Sequence, residues 1–336
     1  MTEVQWYPGH MTKARRMMEE NIRIVDLVIE ILDARVPLSS GNPDIDKMAS
    51  GKSRILILGK ADLADPAKTK QFEAWFRSQG FRTAVMDSRD PKSVQRVKEL
   101  LLAVSSKKAE RDLKRGILNR PVRAMICGIP NVGKSTFINS LAGRASAKTG
   151  NRPGVTTGRQ WISVQTRAGS RSTGRQGDNA RGRFEPGRST AARSPRIEVL
   201  DTPGLLWPKF DDRAVGIRLA LAGSVRDEIL DETELAMELV GILGKDYPEL
   251  FLKRYDNREG SSLLEPEEVS SFHEGTLSKT QRLAILGRIA ASRSMLAKGS
   301  TCDAKRAAHV LIDDFRSGRI GRITLDEPPV LEEGKI

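Results

Sequence analysis

Strand-length apolar runs alternate with amphipathic stretches from the N-terminus to residue 200, after which the pattern turns helical. The apolar runs are Asp26–Leu32 (DLVIEIL), Ile55–Leu58, Thr83–Met86, Val122–Cys127, Trp161–Val164 and Ile197–Leu200. Between them, Lys68–Gln79 places Phe72, Trp75 and Phe76 at helical spacing, and Ser93–Lys114 does so with Val94, Val97, Leu100, Leu101 and Val104. A further helix is expected over Thr12–Glu20. Near-continuous apolar strands separated by helices predict an α/β fold, a mainly parallel sheet covered on both faces. From Asp211 onward the periodicity of GIRLALAGSVRDEIL, ETELAMELVGILGKDYPELFLKRY, TLSKTQRLAILGRIAASR and DAKRAAHVLIDDFR predicts an all-helical domain. The tail GRIGRITLDEPP is expected to end it in an extended or frayed form. The expected organisation is an N-terminal extension over 1–20, an α/β domain over 21–210 and a helical domain over 211–336.

One segment breaks the pattern. Residues 165–196 are dominated by Gly, Ser, Arg and Pro, with Phe184 the only large apolar residue. Such a stretch cannot bury enough surface to offset its ordering entropy, so it is expected to be a disordered insertion. It joins two strands that ought to pair like a hairpin, where a loop grows at small closure cost. Its eight arginines face only Asp178 and Glu185, and they make it either a solvated loop or an arm that folds on RNA.

At 336 residues, 38% apolar and 29% charged, the chain suits a globular protein of two domains. No apolar run is long enough to cross a bilayer, so no membrane association is expected. The N-terminus has no signal-peptide core, and Cys127 and Cys302 cannot build a metal framework alone. Both cysteines read as reduced thiols of a cytoplasmic protein. The net charge of +13 favours polyanionic partners, nucleic acid foremost.

Candidate chemistry concentrates in four motifs. Gly128–Ser135 (GIPNVGKS) matches G-x-x-x-x-G-K-[ST] between an apolar strand and a helical segment. In that context backbone N–H groups of Asn131, Val132, Gly133 and Thr136 can cradle phosphates, Lys134 can reach the β/γ-phosphates and Ser135 can ligate Mg²⁺. Asp201 in DTPG (Asp201–Gly204) suits the magnesium shell, and Gly204 can turn its N–H toward a γ-phosphate. Thr156 in PGVTT is the candidate hydroxyl that joins Mg²⁺ in the triphosphate state, with Thr157 competing for the role. Upstream, Arg54–Asp62 (RILILGKAD) ends in a near match to N-K-x-D. The Asp62 carboxylate can accept from the ring N1–H and exocyclic amine of guanine, while the Lys60 stem packs over the base beside Ala61. Gly59 stands where Asn is expected, which removes an amide that would brace the pocket. Guanine preference should survive, with weakened affinity. Ser88 in MDSRD fits either a short loop closing over the base or a plain strand-end turn.

The order is base reader, P-loop, switch one, switch two. Together with WYPGHM, DARVPLSSGNP, PGVTTGRQW, DTPGLLWPK, GIRLALAGSV and DFRSGRIGRITLD, this arrangement resembles the circularly permuted GTPases of the ribosome biogenesis GTPase A family. The likeness spans nearly the whole chain outside the insertion and the stretch around Tyr255–His273. It implies a P-loop GTPase fold of permuted order and a helical C-terminal domain that contacts RNA. It also implies GTP/GDP and Mg²⁺ as ligands, and action on a large ribosomal subunit precursor and its rRNA. The chain is expected to act as a monomer. The resemblance further suggests that Asn131 helps hold K⁺, although the same amide could simply stabilise its loop.

Leu205 and Leu206 follow Gly204 where many GTPases carry a water-orienting Gln, and neither can polarise water. His10, beside a glycine turn, is the candidate catalytic group, with RNA contact or helix capping as its alternative roles. Two other readings of the chain are an ATPase, favoured by Gly59, and a nucleotide-gated RNA scaffold with negligible turnover, favoured by Leu205.

Overall fold

The computed structural model describes residues 8–117, 120–143, 160–164, 196–202, 204–206, 212–225, 231–256, 262–295 and 303–330. Thr156 and Thr157, residues 165–195 of the expected insertion and Cys302 lie outside these residues, and so does the side chain of His10.

Six strands form one sheet: β1 (Leu27–Asp33), β2 (Ser53–Gly59), β3 (Arg82–Val85), β4 (Val122–Cys127), β5 (Gln160–Val164) and β6 (Ile197–Asp201). Their order is β3-β2-β1-β4-β6-β5, parallel throughout except for β5 against β6. All six expected strands are present, and the expected β5–β6 pair is antiparallel. β1 is buried at every position, as its central place requires. Its alternate residues feed two cores. Leu27, Ile29 and Ile31 join Ile55, Ile57 and Ile126 on one face, whereas Val28 and Leu32 belong to clusters on the other.

Helix α1 (Pro8–Ile24) places Met18 and Ile22 against Val28, Met125 and Cys127, so the expected boundary near residue 20 falls inside a helix packed on the sheet. Three helices start with an Asx cap followed by proline: α2 (Pro43–Met48) after Asn42, α3 (Pro66–Ser78) after Asp65 and α4 (Pro91–Lys114) after Asp90. In each the cap carboxylate or amide oxygen accepts from first-turn N–H groups, and proline fixes φ where no N–H is needed. α5 (Lys134–Ala142) instead starts at Gly133, in left-handed conformation with no side-chain cap. Its first N–H groups are left for a ligand.

The second unit comprises α6 (Arg213–Leu221), α7 (Glu232–Asp246), α8 (Pro248–Tyr255), α9 (Val269–Glu274), α10 (Lys279–Ser292) and α11 (Ala304–Arg316). Its apolar faces, including Leu219, Leu239, Leu311 and Phe315, share one continuous core with the sheet domain. The tail after α11 is extended but not frayed. Ile323, Thr324, Leu325 and Asp326 are buried, and the tail lies along the sheet domain through Ile323 N–H to Leu63 O (3.0 Å) and Leu325 N–H to Arg35 O (2.7 Å). Among the described residues no helix is long and apolar enough to cross a membrane.

Candidate nucleotide site

The candidate motifs converge at the carboxyl ends of the parallel strands, where β1 lies between β2 and β4 and the strand order reverses. Open α/β sheets bind ligands at such a switch point. The loop after β2 carries Lys60, Ala61 and Asp62, and the loop after β4 carries Asn131, Val132 and Gly133. They flank Asp33 at the end of β1.

The P-loop is tightly folded. Gly128 adopts φ +142°, and a Cβ there would lie 2.5 Å from Ile31 O, so only glycine fits against β1. Asn131 (φ 58°) and Gly133 (φ 102°) are both left-handed, which curls the chain around a concave set of N–H groups. Val132 is buried, Ser135 half-buried and Thr136 exposed on the first turn of α5. The Lys134 ammonium is buried and donates to Gly128 O (3.1 Å) and Ile129 O (2.7 Å). Burial pulls it down to about 8, against the attraction of Asp201, which is also buried. A phosphate group would replace these carbonyls with a far stronger charged acceptor.

Switch two rests on the P-loop. Leu205 N–H donates to Gly128 O (3.3 Å), and a Cβ at Gly204 would fall 2.6 Å from Pro130 N and 2.7 Å from Pro130 Cα. Backbone cannot yield to that overlap, so Gly204→Ala must lift DTPG off the loop. We expect GDP affinity to change little while single-turnover hydrolysis falls about 100-fold, the cost of an ångström-scale misplacement. Leu205 itself is buried with Met18 and Ile22 of α1, and Asn42 Nδ2 donates to its carbonyl (3.1 Å). The residue in the position of the usual glutamine is therefore a packing element that joins switch two to the helix carrying His10 in its first turn.

The loop after β2, the candidate base reader, is held by Asp33 and Arg35, which the sequence motifs did not single out. Lys60, at φ 54°, donates through Nζ to Asp33 Oδ2 (2.9 Å). Asp33 is fully buried and also accepts from Arg35 Nε (2.9 Å) and Nη2 (2.8 Å). Burial would raise its pKa, but the two cations hold it well below the usual carboxylate range. Arg35 continues into the helical unit, donating to Ala222 O (2.9 Å) and Arg316 O (3.4 Å) and lying over the Phe315 ring. Asn131 makes a second bridge, from Nδ2 to Gly223 O (2.8 Å) just past α6. Asp62 pairs with the exposed Arg89, and Ser88 accepts at its carbonyl from Ser140 Oγ of α5 (3.4 Å). The clue to Asp33 and Arg35 was a charged DAR triplet at the end of a strand that is apolar but for Glu30.

The donor set suits magnesium. A serine hydroxyl on the first turn of α5 and a buried carboxylate ending β6 are hard oxygen ligands.

A family model described as 50S ribosome-binding GTPase matches residues 123–242. That stretch starts in β4 and contains the P-loop and DTPG, but not the base reader upstream. Ribosome biogenesis GTPase A of Bacillus cereus is 36% identical over 325 residues, covering 97% of this chain and 94% of that one. Mitochondrial ribosome-associated GTPase 1 of Xenopus tropicalis is 29% identical, covering 96% and 94%. The solved GNP-bound YlqF from T. maritima superposes with a TM-score of 0.55 at 24% identity, covering 95% of this chain and all of that one, and shares the fold.

Proposed function

The chain belongs to the ribosome biogenesis GTPase A family, and from that premise we propose that it is a GTP-driven assembly factor of the large ribosomal subunit. Its GTP form would bind a large-subunit precursor and its rRNA, and hydrolysis would release it. The observation that carries this reading is the placement of switch two. Gly204 is seated on Pro130 of the P-loop, and the same chain leads on to α6, whose end receives Asn131. A change at the γ-phosphate position can therefore be passed to the helical unit within one short segment.

In this reading Asn131, Val132, Gly133 and Thr136 offer backbone N–H groups to the phosphates, and Lys134 turns from its loop carbonyls to the β/γ-oxygens. Ser135, Asp201 and Thr156 would hold Mg²⁺, which neutralises charge on the phosphates. Asp62 reads guanine, Lys60 covers it and Ser88 closes the pocket. With Leu205 buried, the attacking water needs another partner, and His10 is proposed for that role once the particle fixes the start of α1. K⁺ near Asn131, a monomeric state and action in the cytoplasm complete the proposal.

The test is single-turnover GTP hydrolysis with and without large-subunit precursor particles, paired with co-sedimentation in GDP and in a non-hydrolysable GTP analogue. Stimulation by particles and tighter sedimentation with the analogue are expected. Equal sedimentation in both nucleotides would contradict the release step, and an unchanged stimulated rate in His10→Ala would remove His10 from catalysis.

A further inference from the structure

The base reader lacks the brace its motif usually has. Gly59 carries no side chain, and it packs closely against β1 and the P-loop. A Cβ there would lie 3.3 Å from Ile31 Cγ2, 3.5 Å from Leu32 O and 3.6 Å from Val132 O in the P-loop. An Asn side chain in this position could tie the base loop to the P-loop. Without it, the loop after β2 needs another support, because Lys60 is left-handed and Asp62 has to hold its carboxylate against the edge of a base.

That support comes from the far end of the chain. Arg322 donates through Nη2 to Ala61 O (2.7 Å) and through Nε to Ala64 O (2.9 Å). Between these two bonds, Ile323 N–H donates to Leu63 O (3.0 Å). The carbonyls at 61, 63 and 64 are thus all taken by the tail, and they bracket Asp62 on both sides. Further along, Thr324 Oγ1 donates to Ala34 O (3.1 Å) and Leu325 N–H to Arg35 O, next to the Asp33–Arg35 pair that holds Lys60. The Thr324 hydroxyl accepts in turn from Asp65 N–H (3.1 Å), the cap of α3. Asp62 therefore sits between carbonyls held by residues 322 and 323, and the pair that holds the Lys60 ammonium lies beside carbonyls held by residues 324 and 325.

We propose that Arg322, with the extended tail around it, is a positioning residue for guanine recognition that takes the place of the amide missing at Gly59. The proposal rests on the reading of Lys60–Asp62 as the guanine site. Its physical content is that the orientation of the 61–62 and 64–65 peptide planes sets where the Asp62 carboxylate points. Loss of Arg322 frees both planes and should harm the part of affinity that depends on Asp62. It should leave phosphate binding at Lys134 untouched.

The experiment compares GDP, IDP and ADP in competition titrations of the full chain. Inosine lacks the 2-amine, so the GDP:IDP ratio isolates one of the two bonds to Asp62. Arg322→Ala is expected to weaken GDP and a non-hydrolysable GTP analogue equally, by about tenfold, and to lower the GDP:IDP ratio by several-fold. Arg322→Lys, which keeps the charge but not the fork, should fall between it and the parent. Gly59→Asn in the Arg322→Ala background should restore part of the ratio, because it returns the missing brace. Glu327→Gln is the control. It removes the 2.7 Å ion pair to Lys68 that also ties down the tail, without touching residues 59–64, and should leave the ratio unchanged. An unchanged ratio in Arg322→Ala would overturn the proposal, as would an equal fall in Glu327→Gln. If Arg322→Ala no longer melts cooperatively, Arg322→Lys carries the same comparison with the same two outcomes. A parent chain that binds ADP as tightly as GDP would instead refute the guanine site itself, and the brace with it.

Discussion

Arg35→Met is expected to destabilise the protein by about 3–5 kcal/mol, a large share of the stability of an ordinary domain. The side chains of Arg35 and Asp33 are 2% and 0% exposed, so nothing from solvent can replace the guanidinium. Methionine fills similar volume, but Asp33 keeps only Lys60 and the backbone N–H of residue 35, and Ala222 O and Arg316 O lose a donor. The cost comes from that residue of unpaired polar groups more than from the ion pair itself. Asp33→Asn combined with Arg35→Met should therefore recover part of the loss, since both buried charges then disappear together. Urea unfolding followed by tryptophan fluorescence measures both variants, and a cost below about 1 kcal/mol for the single change would rule out an essential pair. The pH dependence has a definite sign. Asp33 is depressed in the folded state, so its contribution is complete above the ordinary value of 3.8 and fades only in stronger acid. Neutral and mildly acidic buffers should give the same difference between parent and variant.

The same pair marks where the sequence stops being informative. The six strands were legible because they depend on local pattern, apolar runs of strand length. The P-loop was legible because its glycines answer to sterics, and Gly128 meets Ile31 O as the motif requires. What could not be read was anything that depends on a partner hundreds of residues away. RITLD reads as an extended or frayed end, yet its Ile323 and Leu325 are buried and Arg322 grips the loop after β2. Asn131 invited a role at the nucleotide, and its Nδ2 is found on Gly223 O. Leu205 looked like a missing catalytic residue. Its burial beside Met18 gives it a packing role, which ties the start of switch two to α1. For the tail and Asn131 the packing of the helical unit on the sheet set what each touches, and for Leu205 the packing of α1 did.

Asp62→Asn is expected to change which base is bound, not merely how tightly. A carboxylate accepts from both N1–H and the 2-amine of guanine. An asparagine can accept from one of them, but then points its own NH₂ at the other donor. A site built around buried hydrogen bonds rejects such a mismatch strongly, so GDP affinity should fall by about 10³–10⁴-fold. Xanthine keeps N1–H and carries a carbonyl at C2, which accepts from the new amide, so XDP should become the preferred ligand. The loop is held against a compensating shift, since the carbonyls at 61, 63 and 64 are bonded by the tail. The competing Arg89 contact is a small correction. Arg89 is 72% exposed, and a surface ion pair is worth about 0–1 kcal/mol, far below the expected loss. Competition titration with GDP, XDP and ADP gives the answer. A variant that keeps its GDP affinity would place the base elsewhere, and a parent chain indifferent to the base would favour the ATPase alternative that Gly59 left open. An exchange of GDP for XDP at unchanged thermal stability would fix Asp62 as the residue that makes this P-loop protein specific for guanine.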